Sequence, residues 1–256
     1  MASLDRFAAP PAELAPPGPE AIHVWSVPLD PPAGEVAAAR RLLAPDEAAR
    51  ADRFRFDRHR RRYTVGRAAL RTLLGRYLGV EPRAVAFRYG RNEKPYLADG
   101  SAPAGDPPLW FNLSNSAELA VVAFGTSAEL GVDVEALRAM PDALAIAERF
   151  FSAAEREALA AVPAAELDRA FFRCWTRKEA YLKAVGTGIT VPLHAFDVTL
   201  APGEPARMLA LDGDPGLAAA WRLHHLEPAP GYVGALAAPP PPAGGDWRLA
   251  GWRWDG

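Results

Sequence analysis

Two acidic residues at alternate positions form the first candidate site in the sequence. Asp133 and Glu135 lie in the segment GVDVE, residues 131–135, whose apolar residues predict a β-strand. Side chains two residues apart on a strand share a face, so both carboxylates point the same way. Adjacent carboxylates repel each other unless a cation lies between them, and Mg²⁺ binds one or two carboxylates together with water and substrate phosphates. The pair indicates either a magnesium site or an ordinary acidic strand face.

A third acid lies on a predicted helix over 166–185. Trp175, Glu179, Leu182 and Lys183 are spaced i, i+4, i+7 and i+8, which places them on one helical face. A tryptophan beside a Glu/Lys pair is unusual on a solvated surface and favours a functional face. The alternative is a core tryptophan next to an i,i+4 ion pair, which stabilises a helix by only about 0.2–0.5 kcal/mol.

Basic residues concentrate around the start of the first long predicted helix, over 58–78. They are Arg53, Arg55, Arg58, Arg60, Arg61, Arg62, Arg67 and Arg71. In a chain with a net charge of −2, this local patch suits a phosphate-rich ligand or an acidic partner. The alternative, a solvated helix surface, accounts for a share of these arginines.

Two further segments are candidates for binding a phosphate. Lys94 precedes Pro95, whose rigid backbone can aim the ammonium group, although a lone lysine is more often solvated. Apolar runs at 109–113 and 119–124 predict a hairpin, and the polar residues Ser114 to Glu118 are expected to form its turn. Hydroxyl and amide groups of such a turn can bind phosphate, but Ser/Asn turns are also routine.

The remaining elements suggest two similar halves. Each half has a long helix, at 58–78 and 166–185, followed by strands that end in a hairpin, at 110–125 and 221–238. Gly79 and Gly186 are expected to end the two helices, and Ser152 with Glu155 predicts a capping box. We expect a flexible leader at 1–20, an N-terminal half at 21–128, a C-terminal half with the metal-binding motifs at 129–240, and a loosely packed or disordered tail at 241–256.

Composition limits the class of protein. Hydrophobic residues make up 50% of the chain and charged residues 23%, which predicts a globular protein without the basic field of a nucleic-acid binder. The single cysteine, Cys174, excludes an internal disulfide and favours the cytoplasm. No signal peptide or membrane-spanning run is expected. Phosphate-binding Gly-rich loops, zinc helices and serine elbows are absent from the sequence.

Three sequence blocks together resemble the 4′-phosphopantetheinyl transferase superfamily. They are FNLSNS at 111–116, GVDVE at 131–135 and WxxKEAxxKxxG at 175–186, in the order and spacing of the larger, single-chain Sfp-type members. The resemblance covers about 22–238. It implies an α+β pseudodimer of two similar α/β halves with the active site in the cleft between them, and a monomer in solution.

The resemblance also implies ligands and roles. Coenzyme A would be the co-substrate and Mg²⁺ the metal, with Mn²⁺ an alternative because oxygen ligands accept both. Asp133, Glu135 and Glu179 would hold the metal. Phosphate contacts would come from Arg50, Arg62, Lys94, Ser114, Asn115, Lys178 and Lys183. Two positions depart from the family pattern: Asn115 replaces a usual histidine, and Glu93 replaces a usual glycine before Lys94.

The implied reaction transfers phosphopantetheine to a serine of an apo carrier protein of a fatty-acid, polyketide or non-ribosomal-peptide synthase. Glu179 would accept the serine proton, and Lys183 would stabilise the departing adenosine 3′,5′-bisphosphate. No nucleic-acid or membrane partner is expected, and the sequence does not identify the carrier protein. The alternatives are a catalytically weakened protein that binds coenzyme A or a carrier protein, and a metal-dependent phosphohydrolase using the same carboxylates.

Overall fold

Helices and strands follow one another in two similar series. The computed structural model describes residues 4–90, 93–99, 108–186 and 191–255. The first series is β1 (Ala21–Pro28), α1 (Ala33–Arg40), α2 (Pro45–Asp52), α3 (Asp57–Leu78), β2 (Phe87–Tyr89), β3 (Pro95–Leu97), β4 (Trp110–Ser116) and β5 (Leu119–Gly125). The second is β6 (Gly131–Ala136), α4 (Ala143–Phe150), α5 (Ala153–Ala160), α6 (Leu167–Val185), β7 (Phe196–Val198), β8 (Met208–Leu211), α7 (Pro215–Ala218), β9 (Arg222–Leu226) and β10 (Tyr232–Ala238), and β11 (Arg248–Arg253) follows it.

The two series build sheets of the same topology. The first has the strand order β1-β5-β4 and the second β6-β10-β9, and every one of these pairs is antiparallel. Each half also has a small two-stranded ribbon, β2-β3 or β7-β8, and one long helix against its sheet. The shared topology confirms the predicted α+β pseudodimer.

Local sequence signals place the ends of the principal helices correctly. Gly79 ends α3 at φ 66° and Gly186 ends α6 at φ 68°, a left-handed conformation that glycine adopts without a steric cost. Ser152 accepts a hydrogen bond from the Glu155 amide, and the Glu155 carboxylate accepts one from the Ser152 amide, which is the predicted capping box. Among the described helices, none is long and apolar enough to cross a membrane.

The predicted loose tail is wrong because it contains β11, and the predicted flexible leader makes two isolated backbone bridges, at Leu4 and Ala8. The Leu4 amide donates to the His225 carbonyl (3.0 Å), and the Ala8 amide donates to the Gly251 carbonyl (3.0 Å). β11 pairs in parallel with β1 and extends the first sheet to β11-β1-β5-β4. Each partner lies more than two hundred residues away in sequence, where no local pattern reveals it. Residues 1–3 and 256 lie outside the described residues.

The hairpin between β4 and β5 has a shorter turn than predicted. Ser114, Asn115 and Ser116 belong to β4, and the turn is formed by Ala117 and Glu118 alone, with Ala117 at φ 48°. The polar residues therefore pair with β5 and point alternately to the two faces of the sheet. Of the predicted loop before this hairpin, residues 100–107 lie outside the described residues.

Replacing Trp247 tests whether the C-terminal segment is part of the folded core. Its side chain is 4% exposed and its indole Nε1 donates to the Pro239 carbonyl (2.8 Å). We expect Trp247→Ala to lower the free energy of unfolding by about 3–5 kcal/mol in urea denaturation. The control Arg248→Ala alters the exposed neighbour and should change it by less than about 0.5 kcal/mol. Equal midpoints for both variants would contradict this packing.

Candidate active site

The two halves meet along β4 and β6, which belong to different sheets. β6 is the edge strand of the second sheet, and side chains of β4 satisfy its free backbone groups. Asn112 Oδ1 accepts a hydrogen bond from the Val132 amide (2.9 Å), and Ser116 Oγ accepts one from the Ala136 amide (3.1 Å). Asn112 and Ser116 lie on one face of β4, with Ser114 between them. This seam fixes β4 against the acidic strand.

Asp133, Ser114 and Lys183 form a cluster at the centre of the seam. Ser114 Oγ donates to Asp133 Oδ1 (2.8 Å), and Lys183 Nζ donates to both Asp133 Oδ1 (2.6 Å) and Ser114 Oγ (2.8 Å). Burial raises the pKa of Asp133, and Lys183 opposes that rise. Asp133 Oδ2 is buried and has no hydrogen-bond partner among the described residues. The cluster therefore has a carboxylate oxygen available for a ligand.

The other two acids lie beside this cluster. Ser116 Oγ donates to Glu135 Oε2 (2.7 Å), and Arg138 Nη1 lies 3.1 Å from the same oxygen. Burial raises the pKa of Glu179, and the negative charges of Asp133 and Glu135 raise it further. The part of the chain that the structure describes provides no hydrogen-bond partner for Glu179. The predicted face with both Glu179 and Lys183 thus points toward the seam.

The predicted metal ligands do not form a closed metal-binding group. Within residues 4–90, 93–99, 108–186 and 191–255, no three His, Cys, Asp or Glu side chains converge closely enough to hold an ion. Glu135 is engaged by Ser116 and Arg138, and Asp133 by Lys183. The donor set is nevertheless all carboxylate oxygen, as Mg²⁺ requires, and the unpartnered Asp133 Oδ2 fits such a ligand.

Gly131 brings β6 close to α6. A Cβ atom at this position would lie 2.1 Å from the Ala180 carbonyl oxygen and 2.3 Å from the Ala184 nitrogen. Only glycine therefore allows the two backbones to touch, and that contact lets Lys183 on α6 reach Asp133 on β6. We did not predict Gly131 as a site residue, although a glycine at the start of an apolar strand is a recognisable signal of close backbone approach.

Lys178 does not lie in the site, and its predicted phosphate contact is wrong. Its side chain is 0% exposed, and Nζ forms an ion pair with Glu155 Oε2 (2.8 Å). Nζ also donates to the carbonyl oxygens of Leu193 (2.7 Å) and Phe196 (2.5 Å). Lys178 and Lys183 are five positions apart, so a helix presents them on different faces. Lys178 stabilises the second core.

Lys94 makes structural contacts, and its predicted phosphate contact stays a prediction. Nζ donates to the Lys183 carbonyl (2.7 Å) and the Ala184 carbonyl (3.3 Å), and it pairs with Glu129 Oε2 (3.1 Å). The ammonium group thus uses its three donors on the last turn of α6 and one carboxylate. Burial lowers the pKa of Lys94, although Glu129 opposes the change. Lys94 fixes the end of the helix that carries Lys183.

Arg50, Arg62 and Asn115 lie together around a separate pocket of about 270 Å³, which we call the arginine pocket. Other residues that line it are Leu29, Tyr63, Gly66, Arg67, Leu70, Tyr89, Glu93, Pro95, Leu113 and Ala120. The structure thus brings together three of the predicted phosphate-binding residues. The basic character and the two tyrosines suit a phosphorylated aromatic ligand.

Each arginine of the pocket has a carboxylate partner. Arg50 Nη1 lies 3.1 Å from Glu93 Oε2. Arg62 Nη2 lies 2.6 Å from Asp30 Oδ2 and 2.7 Å from Glu118 Oε1. The fourth acid, Glu47, is buried and pairs with Arg67. Sequence reasoning missed all of these acids except Glu93, because the pairs join residues far apart in sequence.

Ser114 and Asn115 point to different surroundings, and their predicted phosphate contacts stay predictions. Adjacent residues of a strand point to opposite faces, and both belong to β4. Ser114 points to the cluster with Asp133 and Lys183, and Asn115 lines the arginine pocket. The two faces of β4 therefore contribute to two different features, the cluster at Asp133 and the arginine pocket.

Two family profiles match consecutive parts of the chain. A profile described as "4'-phosphopantetheinyl transferase, N-terminal" matches residues 29–127, and one described as "4'-phosphopantetheinyl transferase superfamily" matches residues 129–237. The matches meet between β5 and β6, where the structure passes from one series of elements to the next. The chain therefore belongs to the 4′-phosphopantetheinyl transferase family, and the predicted enzyme class is confirmed.

Individual relatives agree with this assignment. The chain is 42% identical to the 4'-phosphopantetheinyl transferase HetI of Nostoc over 91% of this chain and 92% of the relative. It is 30% identical to a 4'-phosphopantetheinyl transferase of Bacillus subtilis over 70% of this chain and 77% of that protein. The 4'-phosphopantetheinyl transferase Sfp of Bacillus subtilis strain 168 is 27% identical, with the same coverage.

Removing Lys178 tests its structural role. Lys178→Met leaves the buried Glu155 carboxylate without its cation, so we expect the free energy of unfolding to fall by about 3–5 kcal/mol in urea denaturation. The matched control Arg156→Met breaks the neighbouring Arg156–Glu148 pair, whose side chains are 36% and 71% exposed, and should cost less than about 1 kcal/mol. A small loss for Lys178→Met would show that the buried pair does not stabilise the fold.

Proposed function

We propose that this chain transfers the 4′-phosphopantetheine moiety of coenzyme A to a serine of an apo acyl or peptidyl carrier protein. The products are the holo-carrier protein and adenosine 3′,5′-bisphosphate. Family membership supports the reaction type, and the seam between the halves supports its location. The carrier proteins proposed as partners are those of fatty-acid, polyketide or non-ribosomal-peptide synthases, and the proposed compartment is the cytoplasm.

The observation that carries this proposal is the cluster of Asp133, Ser114 and Lys183 beside Glu135 and Glu179. It combines a cation and several carboxylates at the junction of two halves, where sites commonly form. Asp133, Glu135 and Glu179 would hold Mg²⁺, with Asp133 Oδ2 already free of other partners. When bound, the ion would neutralise negative charge on the pyrophosphate of coenzyme A.

The chain's own residues provide the remaining chemistry. The carrier serine Oγ attacks the β-phosphorus of coenzyme A, and the bond from that phosphorus to the bridging oxygen breaks. The Lys183 side chain is 29% exposed. Its Nζ gives up part of its contact with Asp133 and binds the departing phosphate. Glu179, which lies beside Asp133 and Glu135, is the proposed acceptor of the serine proton.

The arginine pocket is the proposed binding site for the adenosine bisphosphate portion of coenzyme A. Arg50 and Arg62 supply guanidinium groups for phosphate, and Tyr63 supplies an aromatic surface. Asn115 offers an uncharged amide there. We also propose that residues 21–128 and 129–240 act as the two functional halves of a monomer, since one chain already supplies both sides of the seam.

Intact-mass spectrometry of apo carrier proteins tests the reaction. Carrier proteins incubated with coenzyme A, Mg²⁺ and this chain should gain one phosphopantetheine arm, and EDTA should prevent the gain. We expect Glu179→Gln to slow transfer by about 10²–10⁴-fold and Lys183→Met by about 10²–10³-fold, because each removes a group that acts on the reacting atoms. The control Glu157→Gln alters an exposed acid on α5 and should leave the rate unchanged.

The same experiment separates the competing functions. If no carrier gains mass while coenzyme A binds, the chain is a binding protein and the proposal is wrong. Release of free phosphopantetheine without a modified carrier would instead establish the phosphohydrolase. Full activity of Glu179→Gln would remove Glu179 from the mechanism but leave the overall reaction intact.

Glu93 is expected to weaken binding of coenzyme A. Its carboxylate pairs with Arg50 at the arginine pocket and must be displaced by a phosphate. We expect Glu93→Gln to lower the Kd for coenzyme A by about two- to fivefold in titration calorimetry, since an exposed pair contributes up to about 1 kcal/mol. The control Glu81→Gln, an exposed acid outside the described pocket lining, should have no effect. Weaker binding by Glu93→Gln would show that Glu93 contacts the ligand favourably.

A further inference from the structure

A second cavity, of about 540 Å³, lies between α1, α3 and the C-terminal segment, and we call it the apolar pocket. Ala38 and Ala39 of α1 and Ala68 and Ala69 of α3 are part of its lining. Trp254, which follows β11, also lines it. None of the residues that line the arginine pocket lines this cavity, so the two are separate.

The cavity exists because small residues face each other where helices normally interlock larger ones. α1 packs on α3, yet it has no fully buried residue. Ala38 and Glu35 are exposed, so the cavity is a cleft open to solvent, and its apolar lining lacks packing partners there. Its volume falls within the range of roughly 300–1,000 Å³ of small-molecule sites. The pocket is therefore suited to a ligand that supplies the missing contacts.

The polar groups of the apolar pocket define the charge of that ligand. Glu35, Thr72 and Asp255 line it, and no basic residue is among its described lining. Two carboxylates and a hydroxyl can accept hydrogen bonds from an ammonium group, and the two carboxylates repel an anion. We propose that the apolar pocket binds a small apolar molecule that carries a positively charged amine.

One segment of the chain is a wall of both pockets. Pro28 and Pro31 line the apolar pocket, and Leu29 between them lines the arginine pocket. Asp30 in the same segment holds Arg62 through the ion pair described above. An occupant that contacts Pro28 and Pro31 therefore touches both sides of Asp30, the residue that orients Arg62. If the occupant shifts this segment, binding at the two pockets is linked, and by thermodynamic reciprocity each ligand then changes the affinity of the other by the same factor.

Fluorescence titration with dansylcadaverine tests the site directly. This probe has an apolar ring system and a primary amine, and its emission increases in an apolar environment. Saturable binding is expected, with dansylamide, which lacks the amine, about two- to fivefold weaker and the anionic dansylglycine weaker still. Equal binding of all three probes, or no saturation, overturns the proposal.

Matched variants locate the binding. Ala38→Leu places a larger side chain in the lining of the pocket and should weaken dansylcadaverine binding on the order of tenfold. Ala37→Leu makes the same change at the neighbouring exposed position, which does not line the pocket, and should have no effect. Both positions are exposed, so neither variant threatens folding. Glu35→Gln should weaken binding by about two- to fivefold. Equal Kd values for Ala38→Leu and Ala37→Leu would place the probe elsewhere.

Calorimetry with coenzyme A tests the linkage. Saturating dansylcadaverine should change the Kd for coenzyme A by at least about threefold in the wild type, and in Ala38→Leu the same change should require about tenfold more dansylcadaverine. This step rests on the proposed function, whereas the probe titration does not. If coenzyme A fails to bind, the proposed function fails and the apolar pocket is still judged by its own titration. An unchanged Kd for coenzyme A overturns the linkage.

Discussion

Hydrogen bonds from side chains of β4 to the edge of β6 are the constraint on which the rest of the site depends. The two strands belong to separate sheets, so their backbones do not pair. Asn112 and Ser116 instead satisfy two amides of β6. A buried amide without a partner costs about 1–3 kcal/mol, so the spacing of these side chains fixes the register of one half against the other. Ser114 lies between them and is thereby aimed at Asp133.

The same seam explains why one strand supplies two different sites. Alternate residues of β4 point toward β6, and Leu113 and Asn115 on its other face line the arginine pocket. Ser114 and Asn115 are therefore neighbours in sequence with unrelated surroundings. Because a strand is stiff, the separation between the cluster at Asp133 and the arginine pocket is set by the backbone of β4. An extended ligand with phosphates at two places suits such a fixed separation.

Sequence reasoning succeeded where the determining interactions are local. The ends of α3 and α6 followed from Gly79 and Gly186, and the orientation of Asp133 and Glu135 was predicted from the alternation of a strand. It failed where the interacting residues are far apart in sequence. Neither the pairing of β11 with β1 nor the ion pair of Lys178 with Glu155 can be recognised from a short segment of sequence. Lys178 has the same residue type as Lys183, and only burial separates their roles.

Each arginine that lines the arginine pocket is paired with a carboxylate, and these pairs can make the pocket selective among anionic ligands. A phosphate that enters must replace a carboxylate, so its affinity is the difference between two ion pairs. The Glu47 side chain is 1% exposed and the paired Arg67 is 10% exposed, which makes this exchange costly. Glu93 is 74% exposed and pairs with an Arg50 that is 45% exposed, so it can move into water at little cost. For the proposed phosphate ligand, the exchange at Arg50 would therefore cost less than the exchange at Arg67.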